Sequence, residues 1–574
     1  MLVRQMSVVD AIERAIHHYP DRGAIETAHR QITYRKFGEQ VREFASRLES
    51  LTAPGEFVGI EASRSAASVV AMIGALKAGR PFVVIDPRDS ASSNGAKVCS
   101  LGINMVSRSV AGSETAELVA TPARWRAESE NRRLTLPAEL AALGDGIGYA
   151  IHTSGSTGEP KCVLVGAYPL APVVEDHVRR LSLSPRCRTL QFARLTFDGC
   201  LTEMLWTLTA GACLVVLDES RLAPGTVLQS TLENFRITHL KTTPFALTAT
   251  QPTSAMSLQH VINGGGACRR AVVQKWGSAA SFHNAYGTTE TSVCNFLSEE
   301  LTRGDCTDSV PLGEVVGNCG FDLLPLPADG GGEAAGTSES RGELVITGDS
   351  VAIGYLTARG VQPFVDDDGN KVYRTGDIVE RRDGQLFFVE RRDRQLKVRG
   401  YRLDPGEIET AACRLDSVVE AVVTAESHGA EDSDADALVC YYQGPVEPRV
   451  MRSHLEAVLD GYKVPSVITR VRAMPYTPNG KVDRDALRAG RRPVLDADRT
   501  VAPDEQILGL VRHLTGVDDA GLDDNFFDIG GDSASTVILV NKLKELGWVD
   551  AGVRDVLRAD TLKVLVGALR DRSV

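Results

Sequence analysis

The sequence predicts a large α/β core, a smaller α+β piece behind it and a small all-α bundle at the C-terminus. Three observations predict this order. Short apolar runs alternate with helix-like periods over residues 33–217, which is how parallel sheets covered by helices are written. A compact mixed stretch follows over 395–488. The last seventy or so residues then carry amphipathic helical periods around a Gly-Gly turn. With 574 residues the chain is too long for one hydrophobic core, and about three or four domains are expected.

Residues 1–20 contain acids and histidines and no apolar core, so they read as an amphipathic helix rather than a signal peptide. The strand candidates include Phe57-Val58-Gly59-Ile60, Pro81-Phe82-Val83-Val84-Ile85 and Cys213-Leu214-Val215-Val216-Leu217. A helical segment at 66–79 lies between two of them. Residues 328–340 are polar and glycine-rich and read as a loop. A domain junction is expected at Arg392-Asp393-Arg394. The expected divisions are a core at 1–392, a subdomain at 393–490, an exposed linker at 491–501 and a final bundle at 502–574. No internal repeat is present.

Composition excludes several classes. A net charge of -12 argues against a general nucleic-acid surface, which needs a basic face. No apolar stretch approaches the roughly 18 to 20 residues that span a bilayer. With 43% hydrophobic residues the chain reads as globular and soluble. The 11 cysteines are scattered without a Cys-x-x-Cys pair, so neither a zinc site nor a disulfide framework is suggested, and reduced thiols in a cytoplasm are expected.

Two strings carry chemistry. Asp528-Ile529-Gly530-Gly531-Asp532-Ser533 follows the acidic, aromatic run Asp524-Asn525-Phe526-Phe527. A serine just behind a Gly-Gly turn opens a helix with its hydroxyl exposed. An ordinary N-cap serine is the plain alternative. The second string is Thr153-Ser154-Gly155-Ser156-Thr157-Gly158-Glu159-Pro160-Lys161, behind a strand candidate at 146–151. Glycines let the backbone approach phosphate oxygens, hydroxyls donate, and the lysine supplies charge. A solvated Ser/Gly turn is the alternative. It is not a Walker A loop, because Lys161 is followed by Cys162 and Pro160 blocks the helix start.

The first string resembles the carrier domain of nonribosomal peptide synthetases. The second resembles the phosphate loop of adenylate-forming enzymes, specifically the amino-acid adenylation domains of those synthetases. The resemblance covers nearly the whole chain, in order: Leu76-Lys77-Ala78-Gly79, the phosphate loop, Phe197-Asp198-Gly199-Cys200, Asn284-Ala285-Tyr286-Gly287-Thr288-Thr289-Glu290, Gly342-Glu343-Leu344 with Val351-Ala352-Ile353-Gly354-Tyr355, Tyr373-Arg374-Thr375-Gly376-Asp377, Arg391-Arg392-Asp393 with Lys397-Val398-Arg399-Gly400-Tyr401-Arg402, and Asn479-Gly480-Lys481-Val482-Asp483-Arg484. Departures are Thr288 for proline, Glu390 for glycine, Asp404-Pro405 for Glu-Leu and Cys162 for glycine. The implied third domain is a four-helix carrier.

The resemblance implies attack of a carboxylate on the α-phosphate of ATP, then transfer of the acyl group to a 4′-phosphopantetheine thiol anchored on Ser533. Two anions must meet, so charge has to be neutralised. Lys481 would bridge carboxylate and α-phosphate, with Thr289 and Glu290 in the catalytic set and Glu290 as the Mg²⁺ ligand. Thr153, Ser154, Gly155, Ser156, Thr157, Gly158 and Lys161 would cradle phosphate. Asp377 would accept the ribose hydroxyls, Tyr286 would stack on adenine, and Arg391 and Lys397 would contact ribose and phosphate. Asp393 would be a hinge for rotation of the small subdomain between the two steps.

Asp198 matches the position where amino-acid activators pair the α-ammonium, so an amino-acid substrate is implied. Gly199, Thr202, Lys241, Val261, Asn263, Ala285, Val293 and Cys294 would line the side-chain pocket. Lys241 favours aspartate, asparagine or a derivative, whereas Ala285, Val293 and Cys294 resemble pockets for aromatic amino acids. The alternatives are an acyl-CoA ligase and an inactive carrier scaffold. The expected partners are a phosphopantetheinyl transferase, a downstream tailoring or condensation enzyme that takes the cargo of a stand-alone didomain, and an MbtH-like helper protein. No nucleic acid or membrane is expected.

Overall fold

The computed structural model describes residues 7–109, 115–126, 140, 146–153, 161–268, 270–306, 310–326, 341–357, 359–392, 396–398, 401–415, 417–426, 437–475, 482–491, 503–515, 517, 520–531, 533–548 and 550–570. The chain divides into two compact units, and apart from two short excursions the division falls between Arg394 and Gln395. Among the described residues no helix is long and apolar enough to cross a membrane.

The first unit is an α/β core with three sheets among its described residues. In the eight-stranded sheet the central strands Met105–Ser109, Val58–Glu61, Phe82–Ile85 and Ile147–Thr153 are parallel neighbours. Antiparallel strands close both edges, among them Lys161–Gly166 and Gly354–Thr357. The helix Ala66–Lys77 is the helical segment expected at 66–79. Ser65 caps it by accepting from the Ser68 N–H, and residues 66–75 are buried on every face. A helix apolar all round belongs inside a core. Gly79, at φ 62°, turns the chain out of it.

A nine-stranded sheet follows, again parallel in the middle and antiparallel at its ends. Three of its neighbouring strands are β1 (His239–Thr242), β2 (His260–Asn263) and β3 (Ser281–Tyr286), parallel and in register at Leu240–Val261–Phe282 and Lys241–Ile262–His283. The first set enters a core with Trp276, Leu247 and Leu228. The opposite face meets α1 (Leu170–Arg180) and α2 (Gly199–Thr209), whose Trp206, Leu205 and Val173 belong to the main core. A four-stranded antiparallel sheet, Cys319–Pro325, Arg341–Gly348, Val372–Arg382 and Gln385–Arg391, completes the unit. This third sheet was not expected from the sequence. Its strands mix charged and apolar residues on both faces, so period-2 alternation is weak there.

The second unit holds a three-stranded sheet, Glu420–Glu426, Ala437–Gln443 and Val467–Val471, packed with helices Pro405–Cys413 and Pro448–Val458. Among the described residues it ends in four helices: α3 (Pro503–Thr515), α4 (Ser533–Glu545), α5 (Val553–Arg558) and α6 (Leu562–Arg570). Their apolar sides share one core with Phe526 and Ile529. The Gly-Gly turn has a steric cause. Gly530 sits at φ 103°, and a Cβ on Gly531 would lie 2.3 Å from the Phe526 ring. Hydrogen bonds from Gly530 N to Phe527 O and from Gly531 N to Phe526 O close the turn directly before α4.

Three imidazoles, those of His239, His260 and His283, stack across β1, β2 and β3 at 5.0 and 5.2 Å. Burial holds His239 and His260 down to about 4, and it also lowers His283. The buried His177 on α1 is lowered to about 4 as well. An unfolded histidine titrates near 6.5. Between about pH 6.5 and 4 the unfolded chain therefore binds protons that the folded chain does not, and stability is lost as pH falls. For the fully buried His177 and His239 the loss is about 3 kcal/mol each at most. Three of the four tryptophans, Trp125, Trp206 and Trp276, are in the first unit and report its unfolding. Urea midpoints followed by their fluorescence should drop from pH 6.5 to 4.5, and His239→Gln should flatten that drop. Parallel profiles for the two proteins would reject the assignment.

Candidate functional site

The phosphate-loop string begins and ends on neighbouring strands. Thr153 and Lys161 are register partners at the ends of an antiparallel pair. Ser154, Gly155, Ser156, Thr157 and Gly158, between them, lie outside the described residues. The Lys161 ammonium sits over the Tyr355 ring, 4.9 Å from its centroid. The Tyr355 hydroxyl donates to Glu290 Oε1 at 2.7 Å and lies 3.3 Å from the Tyr373 hydroxyl. Glu290, 1% exposed, is carried by a single 3-10 turn, Thr289–Thr291, directly after β3. The structure thus brings Lys161 and Glu290 to one tyrosine. Tyr355 was visible only as part of the Gly354-Tyr355 string and was not among the expected site residues.

A second group forms where β3 meets the four-stranded sheet. Asp377 is fully buried. Its Oδ2 accepts from the Tyr286 hydroxyl and its Oδ1 from Arg391 Nη1, both at 2.5 Å. Arg391 is the register partner of Asp377 and also donates to the Thr375 carbonyl at 3.1 Å. Burial, and then the Asp377 carboxylate, push the Tyr286 phenol well above its usual range. The Tyr286 ring packs edge-on to Phe296. Each carboxylate oxygen keeps a second lone pair, so the group still fits two hydroxyl donors.

The third group surrounds α2. Asp198 is its N-cap residue, but the side chain makes no capping bond. Thr289 donates to the carboxylate, while Oδ2 is buried without a partner. Burial raises the carboxyl; Thr289 and Lys241 pull the other way. A buried carboxylate oxygen with free acceptor capacity suits a cationic donor. Lys241 Nζ donates to Thr202 Oγ1 at 2.6 Å, and Thr202 Oγ1 donates to the Gly199 carbonyl at 2.8 Å. Lys241 Nζ also sits 5.8 Å from the centre of the Trp206 ring. Ala285 shares the Lys241 face of the sheet by register. Cys294 is buried, its thiol pushed up to about 11 by burial. Val293 is held at φ 76°, an unfavourable region for a β-branched residue. A Cβ on Gly287 would lie 2.2 Å from the Val293 carbonyl oxygen.

Two expected lining residues are corrected. Val261 is register partner to Leu240 and Phe282 and points into the second core with them, away from Lys241. Asn263, two residues on, shares that parity. It donates to Asn284 Oδ1 at 2.9 Å and to the Gly266 carbonyl at 3.2 Å. Ile262 and Gly264 take their places. A Cβ on Gly264 would be 3.2 Å from the Lys241 side chain. In a strand a shift of one residue changes the face.

Glu203 was also missed. It is fully buried on α2, beside Thr202. Its carboxylate accepts from the backbone of Phe192 (3.1 Å) and Ala193 (3.1 Å) and from Gln191 Nε2 (3.2 Å). Burial raises it to about 7, against the pull of Lys241 and Arg64. The available signal was one charged residue inside the otherwise uncharged Gly199–Thr209 run.

Among the described residues no cluster of three or more His, Cys, Asp or Glu could hold a metal. Mg²⁺ asks for less, since it keeps waters and takes one or two carboxylates with substrate phosphates. Glu290 fits that role as a single ligand. Lys481, in the second unit, and Asp393, just before the division, lie outside the described residues. Lys397 lies in the strand Leu396–Val398 and Ser533 opens α4, but their side chains lie outside the described residues too.

Comparison with known proteins gives three family matches: AMP-binding enzyme over residues 12–356, AMP-binding enzyme C-terminal domain over 407–481, and phosphopantetheine attachment site over 505–569. Tyrocidine synthase 2 of Brevibacillus parabrevis is 30% identical over 94% of this chain and 15% of its own length. Chondramide synthase cmdD of Chondromyces crocatus is 32% identical over 93% of this chain and 14% of its own. The chain thus spans about a seventh of these relatives. Among solved structures, holo-PA1221, an NRPS protein containing adenylation and PCP domains bound to a vinylsulfonamide inhibitor, aligns at TM-score 0.76 with 24% identity, over 98% of this chain and 96% of that one. The adenylation domain AlmE of Vibrio cholerae, in complex with glycyl-adenosine-5′-phosphate, aligns at 0.70 with 19% identity, over 86% and 100%. At these identities the two structures speak for the fold.

The Asp377–Arg391 pair yields a prediction independent of any ligand. Arg391→Ala leaves a fully buried carboxylate without its cation, which typically costs about 3 to 5 kcal/mol. Urea unfolding of the full chain should show a loss of that order in the first unit, with a smaller loss for Arg391→Lys. A variant with wild-type stability would show that Asp377 does not need the guanidinium.

Proposed function

This chain belongs to the AMP-binding enzymes and carries a phosphopantetheine attachment domain behind them; on that premise we propose that it activates an amino acid with ATP and loads it onto its own carrier. The carrying observation is Asp198, whose buried, unpartnered Oδ2 fits the α-ammonium of an amino acid. In the first step a substrate carboxylate oxygen bonds to the α-phosphorus of ATP. The bond to the β-phosphate breaks and pyrophosphate leaves. Lys481 would neutralise the two anions as they meet, and Lys161 with Thr153 and residues 154–158 would hold the phosphates. Glu290 and Thr289 sit beside Asp198, so the metal and the ammonium would be positioned by one turn of chain. Asp377, with its spare lone pairs, would take the ribose hydroxyls. Arg391 would orient that carboxylate, Tyr286 would flank the base, and Lys397 would add a phosphate contact.

The phosphopantetheine group would supply a thiol that can accept the acyl group from the adenylate, the acyl–phosphate bond breaking and AMP leaving. Ser533 would anchor it at the start of α4, and a phosphopantetheinyl transferase would install it. Rotation at Asp393 would exchange the two half-reactions. The same reading assigns the core to 1–392, the subdomain to 393–490, the linker to 491–501 and the carrier to 502–574. A downstream tailoring or condensation enzyme and an MbtH-like helper belong to this proposal as partners.

Aspartate, asparagine or a derivative is the proposed substrate. Lys241 supports it, because its ammonium bonds Thr202 and faces Trp206 instead of reaching for solvent. The aromatic alternative rests on Ala285, Val293 and Cys294. A pyrophosphate-exchange panel should peak at aspartate, asparagine or a β-substituted relative; a peak at tyrosine, phenylalanine or tryptophan would overturn the assignment.

Two variants test the chemistry. Ser533→Ala should keep amino-acid-dependent pyrophosphate exchange and lose covalent loading, read by intact mass. Loading at the wild-type level would contradict the anchor. Lys481→Ala should slow adenylation by about 100-fold or more, the usual scale for removing a preorganised charge at a transition state, and slow transfer from pre-formed adenylate much less. Equal losses in both steps would remove Lys481 from its proposed place.

A further inference from the structure

Lys241 carries a fixed positive charge into the pocket, and one carboxylate behind it is not used by the proposed reaction. Glu203 follows Thr202 on α2, and Thr202 is the residue that Lys241 bonds. Glu203 is fully buried and held by three donors: Gln191 Nε2, the Phe192 N–H and the Ala193 N–H. Gln191 is itself fixed by Arg64, which donates to its Oε1 at 2.8 Å, to its carbonyl at 3.0 Å and to the Phe192 carbonyl at 2.7 Å. The segment 191–193 leads within five residues to Asp198. Glu203 therefore grips the backbone that delivers Asp198, on the same helix that bears Thr202.

The charged and titratable groups that act on Glu203 come from three directions. Lys241 approaches from β1, Arg64 from the turn before Ala66–Lys77, and the Cys200 thiol from its own helix. Donors to an acid favour its ionised form. With Glu203 ionised, the charge of Lys241 is already balanced inside the protein. A carboxylate side chain entering the pocket would then be a surplus negative charge at low dielectric, which is costly. A neutral carboxamide would accept a hydrogen bond from the ammonium without that cost.

We infer that Glu203 is a positioning and charge-setting residue: it balances Lys241 and so tunes the pocket toward a neutral carboxamide side chain over the matching carboxylate. This rests on the proposed amino-acid activation and on its polar-substrate assignment. Because burial brings Glu203 to about 7, the balance follows pH. Below that value Glu203 is protonated, Lys241 is unbalanced and a carboxylate side chain gains. Above it the carboxamide gains.

Amino-acid-dependent pyrophosphate exchange with the full chain tests this. Aspartate against asparagine and glutamate against glutamine give the discrimination ratio. In wild type the carboxylate-to-carboxamide ratio of kcat/KM should fall as pH rises from 6 to 8. In Glu203→Gln it should be independent of pH and raised about tenfold at pH 8, the scale set by one partly screened charge pair. KM for ATP should stay unchanged in that variant. Lys241→Met, which removes the counter-charge, should move the pH inflection upward, because Glu203 then ionises less readily. Circular dichroism checks that both variants fold.

A second readout covers a different substrate. The KM of whichever amino acid reacts best should show an inflection near pH 7 that Glu203→Gln abolishes. Wild-type exchange with aromatic amino acids alone would sink the polar-substrate assignment by itself. The inference about Glu203 is overturned separately, if neither the ratio nor the pH inflection differs between wild type and Glu203→Gln, or if the inflection is unmoved in Lys241→Met.

Discussion

The two-faced character of parallel strands is the constraint on which this site depends. Successive side chains of β1, β2 and β3 alternate between a dry core and a functional face. Leu240, Val261 and Phe282 hold the strands against Trp276 and the helices behind them. Lys241, Ile262 and Ala285 stand on the other side, toward α2. Once the first set is packed, the second has no freedom to turn away. The charge of Lys241 is thus fixed in place by hydrophobic packing it takes no part in.

Buried charge organises the rest. Asp377, Glu290, Glu203 and Asp198 all have carboxylate oxygens withdrawn from water, and each solves the desolvation problem differently. Asp377 has a guanidinium and a phenol. Glu290 has a tyrosine hydroxyl. Glu203 relies on backbone donors and a nearby amide. Asp198 is the least satisfied, with one oxygen left over. That gradient runs from a carboxylate with both oxygens bonded to one with an oxygen left unbonded.

The fold class was legible because its signals were local. The helical segment at 66–79 became the helix Ala66–Lys77, the strand candidate at 146–151 became Ile147–Thr153, and the Gly530-Gly531 turn sits directly before α4. The third sheet was not legible, because its strands alternate poorly. Among the site residues, the contiguous string Tyr373 to Asp377 lies on one strand, Val372–Arg382. The pocket lining slipped by one position at Val261 and Asn263, where only the packed face tells odd from even. Glu203 and Tyr355 stayed hidden for another reason: their roles come from partners far away in sequence, Gln191 to Ala193 for one and Glu290 for the other.

Tyr355 stands between two charges. Its flat side supports the Lys161 ammonium and its hydroxyl reaches Glu290. The two residues proposed for phosphate and for metal therefore share one spacer, set on an antiparallel strand beside the strand of Lys161. Such a part works like a gauge block between two jaws: displacing either charge displaces the other. A cation held by Glu290 and an anion held by Lys161 would meet a gap whose width is set by an aromatic ring rather than by the ligands themselves.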